Sequence, residues 1–370
     1  MSADRARAVI DLAAIASNVK EIRTRCNVPV MAVVKADAYG HGLVPVAKAA
    51  LSAGATWLGV ALPEEAISLR EAGITAPLLC WLASPGAPFS QLISQNVDIA
   101  IPSQEIFGEV LTAARALSQR ARIHLELDTG MSRGGFRGQW NEFVKNDELK
   151  EVDVIGIFSH FARADEAQSE FNRIQKDRFN EMVAQLEAEG ITPEIRHLAN
   201  SAAAMMDSES RMDLVRIGIA MYGLSPDVEH MGSSKSLNLQ PAMCLEARLH
   251  LVKEVEEGAF VGYGSGAQTS RKTTLGVVAM GYADGIPRIA KTAGVFLNGK
   301  RAPLIGRVSM DQFVVDLGPD SNAKAGEWVC VFGSGSEGEY TADDWAATAS
   351  SINYEIVTRI GPRVPRIYKS

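Results

Sequence analysis

The sequence predicts a (β/α)8 TIM-type barrel followed by a mostly antiparallel β domain, on three observations. Eight short apolar runs alternate with amphipathic stretches through the first part of the chain. The texture changes after Leu224, and the runs beyond it are divided by frequent Gly, Pro and Asp.

The eight runs are 28–34, 56–61, 77–82, 97–101, 122–127, 154–159, 195–199 and 214–217. Each is short and rich in Val, Ile or Leu, as parallel strands buried on both faces require. Helical stretches fall between them at 43–53, 64–72, 105–117 and 168–189. In the last, Phe171, Ile174, Phe179 and Met182 mark the buried side of a strongly charged helix. Alternation alone also suits a doubly wound open sheet; a count of eight favours closure. Residues 225–240 lack periodicity and read as a linker. Strand candidates follow at 244–255, 275–279, 294–297, 302–305, 312–317 and 327–332, with one helix, 342–351, capped by Thr341. The expected domains are 9–232 and 233–370, the second joined by residues 1–8.

Composition narrows the function classes. With 370 residues, 46% of them hydrophobic, the chain fills a large core, and 22% charged residues of mixed sign suit a globular protein. A net charge of -7 offers no basic footprint for nucleic acid or an anionic membrane. Cys26, Cys80, Cys244 and Cys330 are far apart and read as reduced thiols. The first residues carry charges throughout, so neither a signal peptide nor a spanning helix is expected, and the location expected is cytoplasmic. The six histidines show no ligand spacing, so no metal site is expected.

The strongest chemical signal is Val33-Val34-Lys35-Ala36-Asp37-Ala38-Tyr39-Gly40-His41-Gly42. A lysine directly after an apolar strand stands at the carboxyl end of the barrel, where such folds keep their active sites. Burial there penalises an ammonium, and a neutral amine can form a Schiff base with a carbonyl. Gly40 and Gly42 supply a tight turn into a helix. Residues 128–133 follow the fifth run, His160 the sixth and Asn200-Ser201 the seventh, while Arg216 lies on the eighth. All are expected on the rim that bears Lys35.

The segment AVVKADAYGHG (32–42) strongly resembles the cofactor-lysine signature of the alanine racemase family. Further similar segments run in order along nearly the whole chain: HLELDTGMSRGG (124–135), SHFARAD (159–165), HLANSAA (197–203), VRIGIAMYG (215–223), GYADGIPR (281–288), GRVSMDQ (306–312) and INYEIVTRIGPRVPR (352–366). The resemblance implies a barrel, a C-terminal β domain, pyridoxal 5′-phosphate, an amino-acid substrate and a homodimer whose sites are completed across the interface. L- and D-alanine would be interconverted, supplying peptidoglycan synthesis in a bacterial source.

It also implies residue roles. Lys35 would hold the cofactor and serve one face of the substrate, and Tyr263, in Val261-Gly262-Tyr263-Gly264, would serve the other face from the second subunit. His160 would link Tyr263 to Arg216, which would face the pyridine nitrogen. Arginine is a permanent cation and donor, so that nitrogen would stay unprotonated and the ring a moderate electron sink. Tyr39, Ser201, the amides of Gly218 and Ile219, and Tyr354 would hold the phosphate, with Asn200 beside them. Arg133 would contact the cofactor oxygen and the substrate carboxylate, Met310 the same carboxylate, and Asp311 and Tyr282 would shape the entrance. Gly262, Ser265 and Gly266 stand where the family more often has Ser, Ala and Thr.

One departure concerns Glu126, where many family members have a lysine that is often carbamylated. The glutamate brings a carboxylate directly and is expected to hold Arg133 by a charge-assisted hydrogen bond, without bicarbonate. A serine or broad-specificity racemase, a related decarboxylase and a non-catalytic pyridoxal-phosphate carrier are the alternatives. Arg216 argues against the decarboxylase, and the second domain against the carrier.

Overall fold

The computed structural model describes residues 5–369, which form two compact units. One holds residues 5–14, 39–42 and 240–369; the other holds 15–38 and 43–239. Residues 1–4 of the expected joining segment lie outside the described residues. The first strand, β1 (Ala6–Asp11), belongs to the first unit.

The second unit is a parallel barrel. Its strands are β2 (Val30–Val33), β3 (Trp57–Val60), β4 (Leu78–Cys80), β5 (Asp98–Ile101), β6 (Arg122–Glu126), β7 (Asp153–Phe158), β8 (Ile195–His197) and β9 (Val215–Ile217). They pair in the order β8-β7-β6-β5-β4-β3-β2-β9. The seam between β8 and β9 is spanned by single bonds, Arg216 N–H to the Ala199 carbonyl (3.0 Å) and Asp213 N–H to that of Arg196 (3.1 Å). All eight expected runs are strands, and the nearly closed ring settles the choice against an open sheet.

Inside the ring, Met31, Trp57, Leu79, Ala100, Ile155, Phe158 and Leu214 pack as one cluster, with Trp81 and Ile195 against it. The helix Glu170–Ala188 is turned from its expected face: Phe179 is buried, Phe171, Ile174 and Met182 are half-buried, and Asn172 and Gln175 point inward. Both amides are tied down. Asn172 donates to the carbonyls of Arg163 (2.9 Å) and Glu166 (3.0 Å), so inward polarity is satisfied. Residues 225–240, read as a linker, contain a short helix, Val228–Met231, capped by Asp227, and close on buried Leu237 and Leu239.

In the first unit β1 pairs antiparallel with β10 (Met243–Val255) and parallel with β18 (Arg366–Lys369). Between them run β11 (Phe260–Val261), β12 (Ala267–Gln268), β13 (Thr273–Val278), β14 (Gly294–Leu297), β15 (Lys300–Pro303), β16 (Phe313–Gly318) and β17 (Trp328–Phe332). The contacts are antiparallel apart from β1–β18. Arg7 and Arg248 lie over Trp328, 4.2 and 4.4 Å from its ring centre, covering the sheet with cation–π contacts. The helix Ala342–Thr348 starts from a capping box in which Thr341 accepts from Asp344 N–H (3.1 Å). All four cysteines are free. Among the described residues no helix is long and apolar enough to cross a membrane.

Candidate active site

Lys35 follows β2 and opens an unusual turn. Ala36, Asp37, Ala38 and Tyr39 all have φ between 52 and 53°, so Lys35–Gly40 winds as a left-handed helical turn. Each such non-glycine residue costs about 1–2 kcal/mol, a strain that only surrounding contacts hold in place. Those contacts are specific. Glu65 accepts from Ala36 N–H (2.5 Å), and Asp37 accepts from Leu43 N–H (2.8 Å), starting the helix Leu43–Ser52. Gly40 (φ 77°) accepts at its carbonyl from Arg366 Nε (2.9 Å), and a methyl at Gly40 would press on the Val357 carbonyl.

The Lys35 amine lies 5.9 Å from the ring centre of Trp81, at the end of β4. Burial pushes its pKa down, Arg133 and Arg216 push the same way, and Glu65 opposes. A neutral fraction at ordinary pH is thereby enlarged, which a nucleophilic or basic amine needs.

Around it the barrel gathers Glu126, Arg133, His160 and Arg216, which act on one another electrostatically. Arg216 is 6% exposed. Its Nη1 donates to the carbonyl (2.7 Å) and Nδ1 (3.1 Å) of His197. Its Nη2 donates to the carbonyls of Ser159 (2.7 Å) and Leu198 (3.2 Å) and to His160 Nδ1 (3.3 Å). Burial lowers its pKa to about 10, with Glu126 opposing, so it stays cationic at neutrality. His160 is driven down to about 3 by burial and then by Arg216, Arg133 and Lys35, so its ring is neutral. Since a guanidinium can only donate, His160 Nδ1 is the lone-pair nitrogen and Nε2 carries the hydrogen.

Burial raises the Glu126 carboxyl, while Arg133 and Arg216 pull it back. Its carboxylate lies against Gly134, where an added methyl would approach Oε1 to 3.0 Å. Arg133 interacts with it through space, and no hydrogen bond joins the two among the described residues.

Past β8, Asn200 caps the helix Ser201–Met206 by accepting from Ala203 N–H (3.1 Å). Ser201 Oγ accepts from Gly218 N–H (2.9 Å), which brings that hydroxyl to the turn Ile219–Tyr222 after β9. Gly218 thus stands beside Ser201, with Ile219 next to it in the chain.

Glu65, Trp81 and Gln175 escaped the sequence reading. Trp81 directly follows a barrel strand, a position that could have marked it. Gln175 lies within a helix, yet its amide spans the site loops: Oε1 accepts from Ala162 N–H (2.9 Å), and Nε2 donates to Thr129 Oγ1 and the His160 carbonyl (both 3.0 Å). The structure also places Asp165, Asp227 and His230 with ligand atoms within 4.8 Å of one another, with Asp227 already capping His230 N–H (2.8 Å).

The remaining expected residues belong to the other unit. Tyr39 and Tyr354 lie there with ring centres 6.3 Å apart, and burial raises the Tyr39 phenol. Tyr263, in the turn Tyr263–Ser265, is 69% exposed. A methyl at Gly306 would press on the Val261 carbonyl (2.8 Å), so the loops 261–264 and 306–312 lie together. Tyr282 N–H donates to the Ser309 carbonyl and Ala283 N–H to that of Met310 (both 3.0 Å). Three separate motifs thus form one patch carrying Tyr263, Tyr282 and Met310, the last 53% exposed. Asp311 accepts from Arg363 (2.7 Å) beside it.

Comparison with known proteins follows this division. Residues 10–226 match the family described as alanine racemase, N-terminal domain, and 242–368 match alanine racemase, C-terminal domain. The chain is 50% identical to an alanine racemase of Beutenbergia cavernae, covering 98% of this chain and 97% of the relative. A crystal structure of alanine racemase from D-cycloserine-producing Streptomyces lavendulae superposes with a TM-score of 0.97 at 48% identity, covering 99% and 97% of the two chains. That of the Bartonella henselae alanine racemase with covalently bound pyridoxal phosphate gives 0.89 at 28% identity, covering 99% of each.

Proposed function

We propose, from the premise that this chain belongs to the alanine racemase family, that Lys35 and Tyr263 are its two proton-transfer groups. The chain is an isomerase that racemises alanine with pyridoxal 5′-phosphate. The donor set fits that cofactor. A half-buried lysine with a lowered pKa suits an aldehyde, Ser201 with the amides at Gly218 and Ile219 suits a phosphate, and buried Arg216 suits an unprotonated ring nitrogen. Held by Lys35, Ser201 and Arg216, the cofactor would supply an aldehyde for an amine and an electron sink for the substrate Cα.

The chain's own residues do the rest. Lys35 Nζ takes or returns the Cα proton on one face, and Tyr263 Oη does the same on the other. Arg216, a donor only, offers no proton to a ring nitrogen, which keeps electron withdrawal moderate and favours simple proton return. Neutral His160 has its Nε2 hydrogen available to a phenol oxygen, so it supports the phenolate form of Tyr263. Arg133 and the Met310 amide orient the substrate carboxylate, Glu126 steadies Arg133 through charge, and Tyr282 and Asp311 shape the entrance.

The exposure of Tyr263, Tyr282 and Met310 on one patch supports a homodimer in which that patch completes the partner's barrel site. Residues 9–232 would then carry the cofactor and 233–370 the second base, in a cytoplasmic enzyme supplying D-alanine for peptidoglycan. The observation that carries the assignment is the half-buried Lys35 amine, its pKa lowered by burial and by the nearby Arg133 and Arg216. Turnover of L-alanine in deuterium oxide tests it. Loss of optical rotation with α-deuterium uptake and no carbon dioxide is expected, whereas gas release, or exchange with rotation retained, refutes the two-base assignment.

A further inference from the structure

Arg216 is a buried cation without an adjacent anion. Among the described residues no carboxylate lies within ion-pair distance of it, and Glu126 acts only through space. A buried guanidinium so placed is expensive unless negative potential reaches it by another route. The barrel core contains such a route.

His197 Nδ1 accepts from Arg216 Nη1 at 3.1 Å, so the hydrogen of that ring sits on Nε2. His197 Nε2 lies 2.9 Å from His124 Nδ1, which must then accept, placing the second ring's hydrogen on Nε2. His124 Nε2 lies 3.2 Å from Asp98 Oδ2. Asp98 is anchored in turn by a two-pronged pair with Arg122, at 2.7 Å to Nε and 3.1 Å to Nη2. Every bond in the series runs one way, from Arg216 towards Asp98. Reversing His197 would turn a hydrogen towards Arg216, and reversing His124 would turn one towards His197 Nε2–H while facing a lone pair to Asp98, a clash in either case.

Burial and packing keep the series in register. His124 and His197 are 0% exposed and Asp98 is 1% exposed, so water does not compete. Phe158 stacks on His197 with ring centres 5.0 Å apart, and Trp57 meets His124 edge-on at 5.3 Å. Gly156 on β7 leaves room for the first ring, since a methyl there would overlap His124 Nδ1. Burial and the nearby Arg216 hold His197 well below the usual histidine range, in keeping with a neutral acceptor.

We propose that Asp98 is the remote counter-ion of Arg216, acting through His124 and His197, and that these three are positioning residues for the arginine. Among the described residues the five hydrogen bonds of the Arg216 side chain engage Nη1 and Nη2 and none engages Nε, while the guanidinium lies 5.5 Å from the ring centre of Phe158. The series fixes the plane of the guanidinium and leaves the Nε hydrogen uncommitted among the described residues. This rests on reading Arg216 as the arginine that faces the cofactor.

The test has two arms on the cofactor-loaded enzyme. With 15N-labelled histidine, two-bond nitrogen–proton spectra at pH 7.5 should show both rings neutral with hydrogen on Nε2, assigned by the signals lost in His124→Asn and His197→Asn. A doubly protonated ring, or hydrogen on Nδ1 of either, overturns the series whether or not alanine is turned over. In the second arm, Asp98→Asn is expected to lower kcat about ten- to hundredfold, the range seen for outer partners of site residues, with KM within about threefold and a displaced cofactor absorption band. Gly156→Ala, which crowds His124 without touching any charge, should displace the band in the same direction. An unchanged kcat and band in Asp98→Asn refutes the counter-ion role. Failure of the racemase reading would show separately, as absence of turnover by the unsubstituted enzyme.

Discussion

The two units handle their functional groups in opposite ways. In the barrel, Lys35, His160 and Arg216 are enclosed, and their titration is bent by burial and by each other. On the β unit, Tyr263 and Met310 stand exposed on loops with glycines on either side of the tyrosine. One half of the chemistry is preorganised within a single chain. The other stands on an exposed patch, which the proposed dimer would carry to a partner's site.

The largest expected effects test that division directly. Lys35→Ala and Tyr263→Phe should each lower racemisation by about 10²–10⁴, the range for loss of a positioned acid or base. Mixed and re-equilibrated, the two inactive proteins should recover roughly a quarter of normal activity, because a symmetric shared site leaves each mixed dimer one intact centre. Activity that stays absent, with mixed dimers demonstrated, would place both residues in a site of one chain and remove the contrast.

Acid should damage the barrel through its neutral histidines. A histidine held near pKa 3, as His160 is, binds its proton more weakly folded than unfolded. Its contribution is therefore present above the unfolded pKa and lost as pH falls from about 6.5 towards 3. From pH 7.5 to 5 His160 costs about 2 kcal/mol, and His197, held low by burial and Arg216, pushes the same way. Chemical denaturation at the two pH values checks this, with the fall in His160→Gln expected to be about 2 kcal/mol smaller. An equal fall in that variant would acquit His160.

Glu126→Gln probes the barrel more gently. Removing the charge beside Arg133 and Arg216, which acts on them only through space, should weaken substrate binding by at most about tenfold, and bicarbonate should not change the activity of either form. Full activity with unchanged KM would return Glu126 to an ordinary strand-end role. On the β unit, Thr341→Ala should cost about 1 kcal/mol by loss of the helix cap, leaving kcat unaltered. Unfolding and steady-state assays together decide whether stability and chemistry are divided as the units are.

The sequence made the barrel legible because its strands are buried on both faces and stand out as apolar runs. The edge strand β18 and its pairing with β1 were illegible, since a parallel pair between the two ends of the chain has no local signal. Residues 124–135 were conspicuous for Glu126 and Arg133, but the role of His124 depends on His197, which is 73 residues distant, and only folding joins them. Gln175 escaped for a related reason. Hydrophobic patterning assigns a helix its inner face, and an inward amide is stable only because backbone groups from other segments meet it.

The turn after Lys35 was the least legible feature, because nothing in Ala-Asp-Ala-Tyr demands positive φ. Its smallest useful test is Ala36→Gly. Glycine relieves about 1–2 kcal/mol of left-handed strain but surrenders roughly 0.5–1 kcal/mol of chain entropy, so stability should be unchanged or rise by up to about 1.5 kcal/mol. Ala36 is exposed, and Glu65 holds its N–H, so packing changes little. If the strained turn aims Lys35, loosening it should lower kcat about two- to threefold, with KM held and no loss of stability. Unaltered kcat would mean that the aim comes from the enclosing barrel, and that the barrel's preorganisation extends to its most strained segment.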